Sequence, residues 1–475
     1  MPLNDMRNCD AQLFTPFSYS NRNHKLCVLP NGILTLLISD PDDKMSSCSL
    51  SVAAGSYSDP KGIPGIAHLF EHMLLAAGSN KYPVPGYYHD IIAKYNGFQN
   101  AFTTGEQTTF YFEIPVLSVD GEMIFDKILD IFASYFDDPI FNPLIINKEV
   151  YSINSEHENN ISSISKMLYH ATRLLANNNH PFSQFSTGNM NSLSNVSNTH
   201  LNDLQSLLIK YYRENISSHK ISLCIRGPQS VNSLSKLAYL NFGKMLCKKA
   251  SLRRSLSAIR YRTYSKPKAE KNLVKKKLDV ETFHILEDVW NSRFNNITAF
   301  DDGVSKRSNI IFVKSNKSFT VRFLFPINLN NNKLPNQDIK TFSRVWCDLF
   351  GDESRSSCCQ YFIEREWITG CFAYVSDFTI HDIGLVLELD LSNNGWCHLD
   401  QITEELFSSI IPQFTKGNLH KLSKYLRDQN YIDIISFINQ KKIKSPMEET
   451  SEISSVLLEN LKELNIANIF KGSSI

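Results

Sequence analysis

No CxxC pair, no secretory leader and no apolar run of membrane-spanning length occur in this sequence. Each absence removes a class of protein. The ten cysteines (Cys9, Cys27, Cys48, Cys224, Cys247, Cys347, Cys358, Cys359, Cys371 and Cys397) are scattered without a repeating framework, which fits reduced thiols in a cytosolic chain rather than a disulfide scaffold. The opening "MPLNDMRNCD" has no basic segment followed by an apolar one, so export is not expected. Without about eighteen uninterrupted apolar residues there is no transmembrane helix to place. Excess charge is missing too: 49 Lys and Arg against 48 Asp and Glu leave a net charge of +1, which disfavours nucleic acid as the main ligand. The glycines of "NGFQNAFTTG" are not followed by Gly-Lys-Ser/Thr and make no phosphate loop. A soluble, cytoplasmic protein is the expectation.

What is present is enough to build more than one core. At 475 residues and 42% apolar composition the chain is expected to form two or three domains. "KLCVLPNGILTLLISD" and "SCSLSVAAGS" are short apolar runs divided by Pro-Asn-Gly and by a polar turn, the pattern of strands. A helix is predicted over Pro64–Ala77, opened by Pro64 and closed by Gly78. "NGFQNAFTTGEQTTFYFEIP" alternates residue by residue about Gly105, as a hairpin does. A long helix with Asn142 as its N-cap is predicted to run through Leu175.

Between Lys244 and Lys277 thirteen Lys or Arg meet one acid, Glu270. That composition reads as an interdomain linker or as a docking site for an acidic partner or lipid headgroup. "RRSLS" within it also matches a basic kinase motif. Beyond the linker, strand and helix patterns recur in a similar order without a second HxxEH, so a pseudo-repeat with one active lobe is expected. The fold class predicted is α+β: two similar domains, each an antiparallel or mixed β-sheet covered by helices on one face.

The chemistry concentrates in "HLFEH". On a helix His68 and His72 project from one face, one turn apart, so both imidazoles can meet a single tetrahedral cation. Glu71 lies on a neighbouring stripe, within reach of a water at the metal without being a ligand, in the order HxxEH. A catalytic zinc needs a third protein ligand and one open position. "EVYSINSEHENN" is the best source, since Glu149 and Glu156 sit two turns apart on one helical face. One can bind metal while the other holds a ligand imidazole by its free N–H. A purely structural zinc is disfavoured because such sites close with four ligands and favour cysteine. His157 points about 100° away from Glu156 around the helix, and His89, His170 and His180 have no partner at ligand spacing. The adjacent Cys358 and Cys359 read as buried sulfur in a core helix.

"HLFEHMLLAAGSNKYP", "NGFQNAFTTGEQTTFYF" and "EVYSINSEHENNISS", in that order and spacing, resemble the insulinase (pitrilysin) family of inverted-motif zinc endopeptidases. The resemblance is strong over about Asn31–Gly188 and looser beyond. "SYSNRNHKLCVLPNGIL", "QNAFTTGEQTTFYFE" and "HPFSQFSTGN" look like the pheromone-processing branch of that family in yeast. The resemblance implies that His68, His72 and Glu156 hold one Zn2+ per chain, that Glu71 is the general base and that Glu149 is the carboxylate behind a ligand histidine. It also implies that Asn100 and Ala101 lie on an edge strand where the substrate backbone adds as an extra strand.

The domain plan that follows is a catalytic zinc-binding domain at 1–240, a basic linker at 241–298 and a second, inactive insulinase-like domain at 299–475. Family members run to roughly double this length, and nothing here corresponds to their C-terminal half. The implied activity is zinc-dependent cleavage of peptides such as a pheromone precursor. The alternative is a weakly active or inactive chain serving as a scaffold at the cell cortex or bud neck, or as one partner of a two-part protease. Implied partners are a peptide substrate and a C-terminal half or partner subunit, with peripheral cortex association and no nucleic acid.

Overall fold

The computed structural model describes residues 6–8, 13, 15–117, 121, 123–197, 201–245, 297–300, 311, 319–329, 336–379, 381–413, 416–440 and 445–459. The chain divides into two compact units, one of residues 1–157, 186–295 and 439–474, the other of 158–185 and 296–438 with residue 475. The start of the long second-unit segment at 296 lies close to the expected 299, whereas the placing of 158–185 in the second unit and the return to the first after residue 438 were not expected. Most of the basic linker, 246–296, lies outside the described residues.

The first unit opens with strands β1 (Arg7–Asn8), β2 (Asn23–Val28), β3 (Leu34–Ser39) and β4 (Met45–Val52). Gly32 provides the left-handed residue, φ +96°, in the turn between β2 and β3. Helices α1 (Ile66–Ala76) and α2 (Tyr87–Lys94) follow, then the hairpin of β5 (Phe98–Thr103) and β6 (Thr108–Pro115). Next come α3 (Phe125–Asp137) and α4 (Pro143–Ile161). Asn142 accepts the Leu144 N–H at 2.9 Å, as its N-cap position requires. The helix predicted to reach Leu175 stops at Ile161 and resumes as α5 (Ile164–Leu174), which falls in the second unit. Asn159, Asn160, Ser162 and Ser163 crowd the break, and residues of these types offer the backbone alternatives to the helical ladder.

Helices α6 (Met190–Ser197) and α7 (Leu201–Asn215), strand β7 (Ile221–Gly227) and helix α8 (Val231–Phe242) complete this stretch. The sheet runs β1-β2-β3-β7-β4-β6-β5. It is mixed, with β3 and β7 parallel and the remaining pairs antiparallel. Its core face carries Cys48, Leu50, Val52, Phe110 and Phe112 against Phe132 and Phe136 of α3 and Phe242 of α8.

In the second unit β8 (Phe319–Asn328), β10 (Asp382–Leu391) and β9 (Ile368–Asp377) form an antiparallel sheet in that order. Helices α9 (Asn336–Phe350) and α10 (Cys358–Glu364) precede β9, while α11 (Asn393–Cys397), α12 (Leu399–Gln413) and α13 (Lys416–Ile438) follow β10. Trp346, Phe350, Phe362, Leu387, Leu389, Ile402 and Leu406 make a separate core. Cys359 is buried there, with its thiol donating to the Phe350 carbonyl at 2.9 Å. No helix among the described residues is long and apolar enough to cross a membrane.

One element was not legible in the pattern. Helix α14 (Pro446–Glu459) packs on the face of the first sheet opposite the other helices, over β4, β7 and β6. Strand β4 alternates Ser47, Ser49 and Ser51 with apolar residues, which reads as one wet face, yet every residue from Ser46 to Val52 is buried. The serine hydroxyls meet Thr450 at 2.7 Å and Ser454 at 2.7 and 2.8 Å, while Ser222 donates to the Ser454 carbonyl at 2.6 Å. At the start of α14, Ser445 and Glu448 exchange hydrogen bonds as a capping box. Glu449 then accepts from both Arg22 and Arg226, which also pair with Asp40 and Asp43.

Four of these five charges are buried and Asp43 is partly so, so removing one partner strands the others in low dielectric. Glu449→Ala is expected to destabilise the protein by about 3–5 kcal/mol, read as a lower urea midpoint. A loss below about 1 kcal/mol would mean that the cluster behaves as an exposed pair.

Candidate metal centre

Helix α1 is anchored by what it buries. Ile66, Ala67, Leu69, Phe70, Met73 and Leu74 are each no more than 1% exposed, with Phe70 against Phe141 and Tyr211. The remaining stripe carries His68 and His72, whose rings meet edge to face with centroids 4.8 Å apart. Asp59 fixes the helix start by accepting from the N–H groups of Gly65 and Ala67, each at 2.7 Å.

Burial pushes the Asp59 carboxyl up to about 7 despite those two bonds. An unfolded Asp releases its proton near pH 4, so between about pH 4 and 7 the folded chain holds a proton that the unfolded chain has lost. Stability is therefore expected to fall as pH rises through that window, by roughly 2–4 kcal/mol. Urea unfolding of the metal-free protein across the window reads the slope, and Asp59→Asn should flatten it. An identical slope in that variant would assign it to another group.

Helix α4 brings the second half of the site. Glu156 Oε2 lies 3.5 Å from His68 Nε2 and 4.0 Å from His72 Nε2. One donor atom from each of the three residues falls within 4.8 Å of the others, and among the described residues no other cluster of histidine, cysteine and carboxylate does this. Glu149, two turns earlier, places Oε2 3.0 Å from His72 Nδ1. His68 Nδ1 is 2.7 Å from the Thr187 carbonyl. A carbonyl only accepts, so this nitrogen carries a proton, and Nε2 is the nitrogen turned to the Glu156 side, where the neutral ring offers its lone pair.

The donor set fits a zinc ion: two imidazole nitrogens and one carboxylate oxygen, each ring oriented through its other nitrogen. Burial opposes charge on His72, but the Glu149 hydrogen bond and the carboxylates of Glu71, Glu149 and Glu156 outweigh it and raise its proton affinity.

Glu71 is 9% exposed and does not join the donor cluster. The Thr103 hydroxyl donates to its Oε2 at 2.6 Å, leaving Oε1 as the oxygen available to a proton. Burial raises the Glu71 proton affinity, against the opposing effects of His68 and the Thr103 bond. Thr103 belongs to β5, which ends the sheet and pairs only with β6 among the described residues. Asn100 and Ala101 lie on that strand, with the Asn100 side chain accepting from the Ala101 N–H at 2.9 Å.

The sequence pointed to seven of these residues and missed three contributors. Thr103 sits in the quoted hairpin but has no spacing that marks it, Asp59 caps the helix from six residues upstream, and Thr187 acts through its backbone, whose direction no residue type encodes.

The family described as Insulinase (Peptidase family M16) matches residues 34–180. AXL1 of Saccharomyces cerevisiae is 49% identical over 99% of this chain and 39% of that protein. The insulin-degrading enzyme of Homo sapiens is 36% identical over 47% of this chain and 21% of that protein. The crystal structure of pitrilysin superposes with a TM-score of 0.71 at 19% identity, covering 98% of this chain and 43% of that one. The chain thus spans less than half the length of each.

Proposed function

The chain belongs to the insulinase family (peptidase family M16), and on that premise we propose that it is a zinc-dependent endopeptidase using Glu71 as general base. The observation that carries the proposal is the convergence of His68, His72 and Glu156 within 4.8 Å beside a buried Glu71. His68 and His72 would hold the ion through Nε2 and Glu156 through Oε2, with Glu149 and the Thr187 carbonyl keeping the rings in place. Bound there, zinc supplies Lewis acidity that acidifies a water and polarises the scissile carbonyl.

Glu71 Oε1 takes the proton of the attacking water and delivers it to the leaving amine. Thr103, by occupying Oε2, keeps the carboxylate turned to that task. The substrate binds extended along the edge of β5 that has no strand partner among the described residues, beside Asn100 and Ala101. A pheromone precursor is the proposed substrate class, on the sequence stretches shared with that branch of the family.

The test is zinc analysis of the purified chain with hydrolysis of an internally quenched peptide, alone and with a separately supplied C-terminal half. One zinc per chain and chelator-sensitive cleavage in either arm support the enzyme. Absence of zinc and of cleavage in both arms would favour the noncatalytic cortical platform.

A further inference from the structure

The stretch "STGNM", Ser186–Met190, supplies neither a ligand nor the base, yet it touches both helices that supply the donors. On the α1 side, the Thr187 carbonyl receives His68 Nδ1. The next residue, Gly188, lies against Gly65 at the start of α1: a Cβ on Gly65 would stand 2.4 Å from Gly188 Cα, and one on Gly188 would stand 3.0 Å from Gly65 Cα. Both glycines have left-handed backbones, φ +100° and +78°, so side chains are excluded by conformation as well as by space. On the α4 side, the Met190 N–H donates to Asn154 Oδ1 at 2.9 Å, two residues before Glu156.

The stretch is itself stiff. Asn189 and Ser192 exchange hydrogen bonds at 2.8 and 3.0 Å, and Leu193 behind them is fully buried in the core.

We propose that Thr187–Met190 is a positioning clip that sets the separation of α1 and α4, and with it the affinity of the site for zinc. The inference rests on the metal reading above and adds residues to it that are neither ligands nor base. His68 and Glu156 come from helices far apart in sequence, tied directly by the His72–Glu149 bond at one turn, which leaves the His68 and Asn154 levels to be held from outside. The clip holds those levels through two short bonds and one backbone contact. Disturbing either end moves one donor relative to the others, and outer partners of metal ligands are worth about 10–100-fold in affinity.

The experiment measures zinc affinity of the full chain by competition with a chromogenic chelator, together with urea unfolding of the metal-free protein. Gly188→Ala and Asn154→Ala are each expected to weaken zinc binding by about ten-fold or more in protein that is still folded. Asn154→Asp, which keeps the acceptor oxygen, should bind at least as tightly as wild type. Should Gly188→Ala fail to fold, the two Asn154 variants decide the matter. A merely structural role would lower the unfolding midpoint and leave affinity within two-fold of wild type, which would overturn the clip while sparing the metal site. A wild-type chain that binds no zinc would overturn both.

Discussion

Glu71→Gln is expected to abolish peptide cleavage, by about 10²–10⁴-fold, while zinc content stays at the wild-type level. Glutamine keeps the shape of the side chain and can still accept the Thr103 hydroxyl bond that holds Oε2, so the surroundings have no reason to move. What it loses is the capacity to take a proton at the second oxygen. Glu71 also stands outside the donor cluster, so its neutralisation removes no ligand. Paired measurement of zinc per chain and of initial cleavage rate checks this directly. Cleavage and zinc both at wild-type levels would assign the base elsewhere, and loss of zinc would make Glu71 part of the metal's own coordination.

Glu156→Ala should behave in the opposite way, losing metal first and activity as a result. With structural sites contributing about 10–16 kcal/mol over four ligands, one donor is worth roughly 3 kcal/mol, or about 10²–10³ in affinity. Glu156 is half exposed, with a side chain 49% accessible, so truncation opens no core cavity and should leave the metal-free protein as stable as wild type. Zinc titration with urea unfolding of the apo chain separates these effects. Unchanged zinc affinity would remove Glu156 from the ligand set and leave Glu149 to be tested in its place.

How much of this could be read beforehand depended on whether the information was local. His68 and His72 were legible because four-residue spacing is a property of one helix. Glu149 and Glu156 were legible as a pair, but their division of labour was not, since spacing along α4 is blind to which carboxylate faces the histidines; the family resemblance supplied that choice. The β5–β6 hairpin followed from strict alternation about Gly105, and the repeated strand order announced a second unit. The break at Ser162–Ser163 was hidden by an apolar periodicity that continues across it.

Helix α14 was missed for a different reason. Its contacts with the sheet include Thr450, Ser454 and Glu449, residues that look like a solvated surface until the hydroxyls and guanidinium groups of the other side are known. The return of the chain to the first unit after residue 438 was missed with it, because composition reports where cores lie along a chain and not where a distant helix comes back to rest.

That returning helix sets a clock on synthesis. Strand β7 completes the sheet at Gly227, but the cover for its serine-lined face is not translated until Pro446, some two hundred residues later. At roughly 5–20 residues per second, a ribosome leaves the nascent sheet unsealed for on the order of 10–40 s, with the guanidinium groups of Arg22 and Arg226 waiting for Glu449. During that interval the hydroxyl-rich face stays hydrated, and its serines are free of the partners that α14 later brings.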